Sequence, residues 1–171
     1  KNDAFPVKGH SLNSKLHSIP HCQSIIKKAA CKRLGQKYNM EWLAEDGALH
    51  QLQFNIMKDV CTIYLDTTGQ GLHKRGYRRT SNAAPIKETL AAGIIDLARV
   101  RADSVVCDPM CGSGTFLIEA AYKALNVAPG LRRSFAAEKW DQIPAELWRF
   151  ERAEAMEKLD REGTFHAYGS D

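Results

Sequence analysis

Residues 105–121 read VVCDPMCGSGTFLIEAA, and this stretch decides the fold. Ser104 to Cys107 forms a short strand of the apolar kind that fills buried parallel sheets, and Asp108 closes it. Gly112 and Gly114 follow, so the backbone can take torsions and make close approaches that a Cβ would forbid. A helix is expected to open near Gly114 and run to about Leu125. Strand, glycine loop and helix in that order begin a doubly wound α/β domain, whose ligands sit at the carboxyl ends of the strands.

Upstream, Pro85 occupies the place of a helix N1 proline, and a helix is expected from Ile86 to about Arg99. Leu90, Ile94, Ile95 and Leu97 are its apolar positions. Downstream come a Pro129-Gly130 turn, an irregular basic-aromatic stretch, a helix over about 145–159 and a strand over 164–168. Trp140 and Trp148 read as local packing anchors. The second strand stops at Gly169-Ser170-Asp171. Two strands alone leave a parallel sheet short of neighbours and cover, so residues 85–171 are expected to be the N-terminal portion of a Rossmann-like domain. The first residue is Lys1, not Met, and the chain is expected to begin inside a longer product.

The N-terminal part reads as a small α+β unit, residues 1–66. Residues 4–8 suggest a strand end with Pro6 at an edge, and Gly9 to Ile19 is polar and turn-rich. From Pro20 to about Tyr38, Ile25, Ile26, Ala29, Ala30 and Leu34 fall on one helical stripe among lysines. Ser18 can cap its start, and Gly35 or Asn39 its end. Residues 48–66 alternate as a β-hairpin turning at Lys58-Asp59. Residues 67–84, TTGQGLHKRGYRRTSNAA, make a basic connector long enough to mark a domain boundary or a functional loop.

Composition excludes several classes. The 171 residues contain no apolar run approaching the roughly 20 that a membrane span requires. Lys1-Asn2-Asp3 is no signal peptide. Five cysteines without a CxxC pair favour reduced thiols in a cytoplasm over a disulfide framework, and no metal site is expected. Cys111 has no nearby His to activate it as a nucleophile. The net charge of +4 is uneven: residues 1–101 carry +8 and residues 102–171 carry −4. A basic half facing nucleic acid would produce that asymmetry, and so would a solvated helix face with a basic linker.

The glycine loop discriminates among ligands. A P-loop needs Gly-Lys-Ser/Thr, but Thr115-Phe116 follows Gly114. A dinucleotide loop needs a third glycine where Leu117 stands, which disfavours a nucleotide-dependent oxidoreductase. A carboxylate at Asp108 would repel a pyrophosphate but suits a cationic ligand. S-adenosylmethionine, with an ammonium and a sulfonium, is such a ligand. Asp171, at the end of the next strand, is placed to accept hydrogen bonds from ribose hydroxyls.

These residues carry a family resemblance. VVCDPMCGSGTFLIEAA resembles motif I of class I methyltransferases, and DPMCGSGT with Glu119 resembles the version in bacterial THUMP-containing 23S rRNA guanine-N2 methyltransferases. DTTGQGLHKRGYR (66–78), APIKETLAA (84–92), NVAPGL (126–131) and YGSD (168–171) are similar to that family's blocks, in its order. Residues 1–66 show a weaker similarity to a partial THUMP-like RNA-binding module. Phe116 departs from the family's Leu or Ile, a change that should alter packing rather than chemistry.

The resemblance implies methyl transfer from S-adenosylmethionine to the exocyclic N2 of a guanine in 23S rRNA, in the cytoplasm. It implies that Asp108, Pro109, Met110, Cys111, Gly112, Ser113, Gly114 and Thr115 line the cofactor and that Asp171 holds its ribose. Pro85, Lys87, Glu88 and Thr89 match the block that closes over the methionine end. Lys74, Arg75, Tyr77, Arg78 and Arg79 are the expected RNA contacts, by phosphate pairing and base stacking. The basic face of the helix over 20–38 is a second candidate. The family holds its target amine in an Asn/Asp-Pro-Pro-aromatic loop, and no Pro-Pro occurs here, so the catalytic residues stay unassigned and no turnover is expected. Methyltransferases acting on tRNA guanine or adenine-N6, and a non-catalytic RNA-binding module, are the alternatives.

Overall fold

The computed structural model describes residues 2–78 and 85–171, and its chain divides into two units. One comprises Lys1–Gly69 with Phe135–Ile143, the other Gln70–Ser134 with Pro144–Asp171. The return of residues 135–143 to the first unit is not visible in a linear reading of the chain.

In the first unit, strand β1 (Val7–Leu12) is followed by helix α1 (Ile19–Tyr38) and the hairpin β2 (Leu52–Met57) and β3 (Val60–Leu65). The sheet order is β1-β2-β3, with β1 parallel to β2 and β2 antiparallel to β3. The hairpin turns at Lys58 and Asp59, both at positive φ, as a tight two-residue β-turn requires. Asp59 also accepts hydrogen bonds from Lys15 N and Ser14 Oγ at 2.7 Å each. The first of these contributes most to holding its carboxyl below the usual range.

Three expectations need correction here. The turn-rich stretch after Gly9 continues as strand to Leu12, because six residues pair with β2 in parallel register. Gly9 makes this possible: a Cβ there would lie 2.2 Å from the Phe54 carbonyl oxygen. The inward stripe of α1 is Cys22, Ile26 and Ala30 at four-residue spacing, while Ile25 and Ala29 are exposed. Cys22, Phe54 and Ile56 form the core of this unit, with Val7 and Ile26 packed against them. Trp140 is a long-range rather than local anchor. It stacks on His50 with ring centroids 4.5 Å apart and donates from Nε1 to the Leu49 carbonyl.

The second unit runs α2 (Glu88–Leu97), β4 (Val105–Asp108), α3 (Thr115–Ala124), α4 (Ala145–Glu157) and β5 (His166–Gly169). Strands β4 and β5 are parallel neighbours, with Asp108 opposite Gly169. The element order anticipated from the glycine loop is therefore present. Ile95, Val100, Ala120 and Ala124 form the core, with Val106, Phe116 and Phe165 packed on it. Phe116, the departure from the family pattern, thus serves packing.

Details differ for physical reasons. Pro85 is not at N1. Helix α2 begins at Glu88 with Lys87 in extended conformation as its cap. Leu90, Ile94 and Leu97 are exposed, and the buried positions of α2 are Glu88, Ala91 and Ile95. A four-residue spacing around a buried carboxylate, not the most apolar arc, faces inward. Strand β4 is covered on one face only: Val106 and Asp108 are half-buried, while Val105 and Cys107 are exposed. All five cysteines are free thiols.

Candidate cofactor site at the carboxyl edge of the parallel strands

The site starts from the pairing of β4 and β5. Both strands run the same way, so Asp108 and the segment 169–171 leave the sheet at the same edge. Three hydrogen bonds stitch that edge. Ser170 N donates to Asp108 O at 3.1 Å, Cys111 N to Ser170 O at 2.9 Å, and Ser170 Oγ to Pro109 O at 3.2 Å. The Asp108 carboxylate accepts from Met110 N at 3.1 Å, which bends the chain into the loop. Gly169 has to be small, since a Cβ there would sit 2.6 Å from Leu117 Cδ1 and 2.9 Å from Cys111 Sγ.

Gly112 and Gly114 take positive φ, 49° and 70°, where a side chain is strained. Gly114 caps α3, and no side chain accepts from the first turn of that helix. Those first-turn amides have no intrahelical partner and are available to a ligand. A Cβ built on Gly114 would meet nothing within 4 Å, so the loop faces open space at this point. Thr115 is buried, and its hydroxyl lies 3.2 Å from Ser113 Oγ.

Behind the loop lies a buried charge network. Arg78 donates through a terminal guanidinium nitrogen to Thr115 Oγ1 at 2.7 Å and to Ile86 O at 3.3 Å. Its Nε stands 3.5 Å from Glu88 Oε1. Glu119, one turn into α3, accepts from Tyr77 Oη at 2.9 Å and from Arg75 Nε at 3.4 Å. Burial, reinforced by the hydrogen bond to the Glu119 carboxylate, raises the Tyr77 hydroxyl well above the usual phenol range. Tyr77 also packs edge-on against Tyr122, with centroids 5.5 Å apart.

The sequence-derived residues therefore separate into groups. Asp108 to Thr115 and Asp171 gather at one strand edge. Glu88 is buried against Arg78, whereas Lys87 and Thr89 are exposed at the start of α2 and Pro85 is half-buried. Arg75, Tyr77 and Arg78 have their polar groups engaged inside the domain, Lys74 is exposed, and Arg79 lies outside the described residues. Sequence reasoning missed the network itself. Its signal was a carboxylate, Glu119, one position before Ala120 and on the inward side of an otherwise apolar helix; a buried acid of this kind needs a cation.

The described residues contain no group of three His, Cys, Asp or Glu side chains arranged for a metal. None of the described helices is long and apolar enough to cross a membrane.

A parallel α/β domain with a glycine loop between two acidic strand ends defines the class: a Rossmann-like domain. The chain belongs to the RMKL-like methyltransferase domain family, whose model matches residues 75–171, and carries a THUMP domain over residues 1–66. It is 44% identical over its whole length to the protein named "Putative RNA methyltransferase YpsC" of Bacillus subtilis (strain 168), covering 45% of that relative. It is 52% identical over 101 residues to "Ribosomal RNA large subunit methyltransferase K/L" of Psychromonas ingrahamii, covering 57% of this chain and 13% of that one. Among solved structures, a "predicted N6-adenine-specific DNA methylase" from Listeria monocytogenes matches with TM-score 0.93 at 44% identity, over 99% of this chain and 45% of that one. SMU.472, titled "a putative methyltransferase complexed with SAH", matches with TM-score 0.91 at 41% identity, over 98% of this chain and 45% of that one. The chain thus spans less than half the length of each of these relatives.

Proposed function

We propose that this chain is the cofactor-holding part of an S-adenosylmethionine-dependent RNA methyltransferase that acts in the cytoplasm on N2 of a guanine in 23S rRNA. The observation that carries the reading is the shared edge of β4 and β5, where Asp108 and the 169–171 segment flank a glycine loop open at Gly114. Bound S-adenosylmethionine would supply an electrophilic methyl group on its sulfonium. The chain's own residues bind and orient. The Asp108 carboxylate suits the ammonium, the free amides of α3 suit the carboxylate, and Asp171 suits the ribose hydroxyls. Pro109, Met110, Cys111, Gly112, Ser113 and Thr115 shape the wall, and Pro85, Lys87, Glu88 and Thr89 border the methionine end. Orienting the ligand for in-line attack can supply roughly 7–11 kcal/mol of such a barrier.

The resemblance of SMU.472, whose title names SAH, supports the cofactor. The ribosomal RNA methyltransferase relative supports the substrate. The Listeria structure's title favours a second reading, in which the acceptor is the N6 amine of adenine. For RNA contacts, Lys74 is retained because it is exposed, and Arg79 remains a proposal from sequence. Arg75, Tyr77 and Arg78 are reassigned to holding the domain together. Lys28, Lys32, Arg33 and Lys37 on α1 are exposed and join Lys74, whereas Lys27 is committed to Glu45 at 2.5 Å.

Calorimetry of this chain with S-adenosylhomocysteine and with NAD tests the cofactor class. The expected result is binding of the first alone, lost in Asp108→Ala and weakened in Asp171→Ala. Binding of NAD, or of neither ligand, would reject the reading. Filter binding of 23S rRNA, tRNA and duplex DNA at one fixed salt concentration separates the acceptors, with 23S rRNA expected to bind most tightly. Because the chain has no Pro-Pro, we infer that it does not turn over by itself.

A further inference from the structure

The N-terminal ends of α2 and α3 are joined by a single side chain. Arg78 reaches Thr115 Oγ1 at the first residue of α3, Ile86 O just before α2, and Glu88, the first residue of α2. These three contacts lie on two segments: the end of the glycine loop, and the 85–89 segment that the family resemblance assigns to the methionine end. Neither helix start has a side-chain cap of its own, so the guanidinium adds a polar tie between the starts of two helices that already pack through Ile95, Ala120 and Ala124.

We infer that Arg78 is a positioning residue for the amino-acid end of the cofactor, acting through Thr115 and Glu88 rather than by touching RNA. The inference rests on the cofactor reading above. Three properties of arginine suit it to the task. Its planar fork presents several donors in fixed directions, so one group can hold a hydroxyl and a carbonyl while facing a carboxylate. Its charge balances Glu88, which is buried and would otherwise be an unpaired anion beside the site. Its side chain is itself largely buried, which restricts the rotamers available and transmits little slack from one helix start to the other. Lysine could replace the charge but not the forked geometry.

In the cofactor reading, Asp171 would hold the adenosine end, away from Arg78. Arg78 should therefore govern affinity for a ligand with the amino-acid end and leave unaffected one without it. S-adenosylhomocysteine and 5′-methylthioadenosine are that pair, since both carry the adenosine and a thioether but only the first carries the ammonium and carboxylate.

The test is calorimetry of the 171-residue chain with both ligands, for wild type, Arg78→Lys, Arg78→Met and the double variant Arg78→Met/Glu88→Gln. The double variant removes the uncompensated buried carboxylate and so keeps the experiment informative if Arg78→Met alone unfolds. Arg78→Met and the double variant are expected to weaken S-adenosylhomocysteine about tenfold or more, the scale of one or two misplaced polar contacts, with methylthioadenosine changed less than about twofold. Arg78→Lys should recover part of the loss. An equal loss for both ligands, or unchanged S-adenosylhomocysteine affinity in the double variant, overturns the inference. If the wild type binds neither ligand, the cofactor reading fails first and this one falls with it.

Discussion

Substituting Glu119 by alanine should cost the second unit about 3 kcal/mol, at the lower end of what removing one partner of a buried ion pair costs. The magnitude follows from what each neighbour loses. The Glu119 side chain is 3% exposed and that of Arg75 12%, so both charges are largely withdrawn from water where they meet. Alanine leaves Tyr77 Oη without its 2.9 Å acceptor and leaves Arg75 with the Leu72 carbonyl at 3.3 Å. That surviving contact and the long 3.4 Å separation of Arg75 from Glu119 are why the lower end applies. At roughly 4–8 °C per kcal/mol for a domain of this size, the melting temperature should fall by roughly 12–24 °C. Glu119→Gln retains an acceptor for Tyr77 but no charge for Arg75, and should cost about half as much, 1–2 kcal/mol. Urea unfolding followed by circular dichroism, with the slope checked for constancy, gives both numbers. A loss under about 0.5 kcal/mol for alanine, the scale of an ordinary surface substitution, would refute the network as a stabilising element. Equal losses for alanine and glutamine would show that the charge facing Arg75 carries the whole effect and the acceptor for Tyr77 none of it.

Tyr77 gives a pH prediction with a definite sign. Its folded-state value is raised, so its contribution is fully present below the ordinary phenol value near 10 and is lost as pH climbs above it. In that range the unfolded chain releases a proton that the folded one keeps, and stability should fall by up to about 1.4 kcal/mol per pH unit. Tyr77→Phe should flatten this alkaline slope in denaturation measured between neutral and high pH; an unchanged slope would assign it to other groups. In the first unit, Gly9→Ala should lose the β1–β2 register, because the new Cβ meets a backbone oxygen that cannot rotate away. Amide exchange over Val7–Leu12 is the readout, and retained protection would contradict the clash. Replacing Lys32 or Lys74 with alanine should each reduce the slope of log affinity against log salt for rRNA by about one, whereas Lys27→Ala should leave the slope unchanged.

Much of this architecture was legible because local chemistry and tertiary demand agreed. The hairpin over 52–65 shows it: alternation set the faces of β2, with Phe54 and Ile56 inward, and Lys58-Asp59 accepted the positive φ of a tight turn. The glycine loop shows it again, since an apolar strand, an acid and two glycines have few other uses together. The failures fall where burial departs from hydrophobicity. Leu90, Ile94, Ile95 and Leu97 are the apolar positions of α2, yet of these only Ile95 is buried, together with Glu88 and Ala91. Periodicity alone cannot choose between two neighbouring arcs of one helix when one of them carries a carboxylate whose cation sits outside the helix. Trp140 shows the other kind of failure, because its partner Leu49 is 91 residues away and nothing local announces it.

The basic connector draws both lessons together. HKRGYR, residues 73–78, places three permanent cations and a tyrosine in six positions, which by composition fits a solvated linker and by family resemblance an RNA-facing stretch. Two carboxylates, Glu88 and Glu119, stand on the inward faces of α2 and α3, and each requires a donor from outside its own helix. Arg78 meets the first, and Arg75 with Tyr77 meets the second. Lys74 alone of the three cations in that stretch remains exposed. Counting acids on otherwise apolar helix faces and matching them to nearby arginines would have separated the two roles before any coordinates. The same arithmetic predicts that Glu88→Gln should be tolerated better with Arg78→Met than either change is alone, a non-additivity of about 1 kcal/mol or more in unfolding free energy. Strict additivity between those two positions would mean that the 3.5 Å approach of Arg78 to Glu88 carries no energy, and the pairing of connector to carboxylate would fail with it.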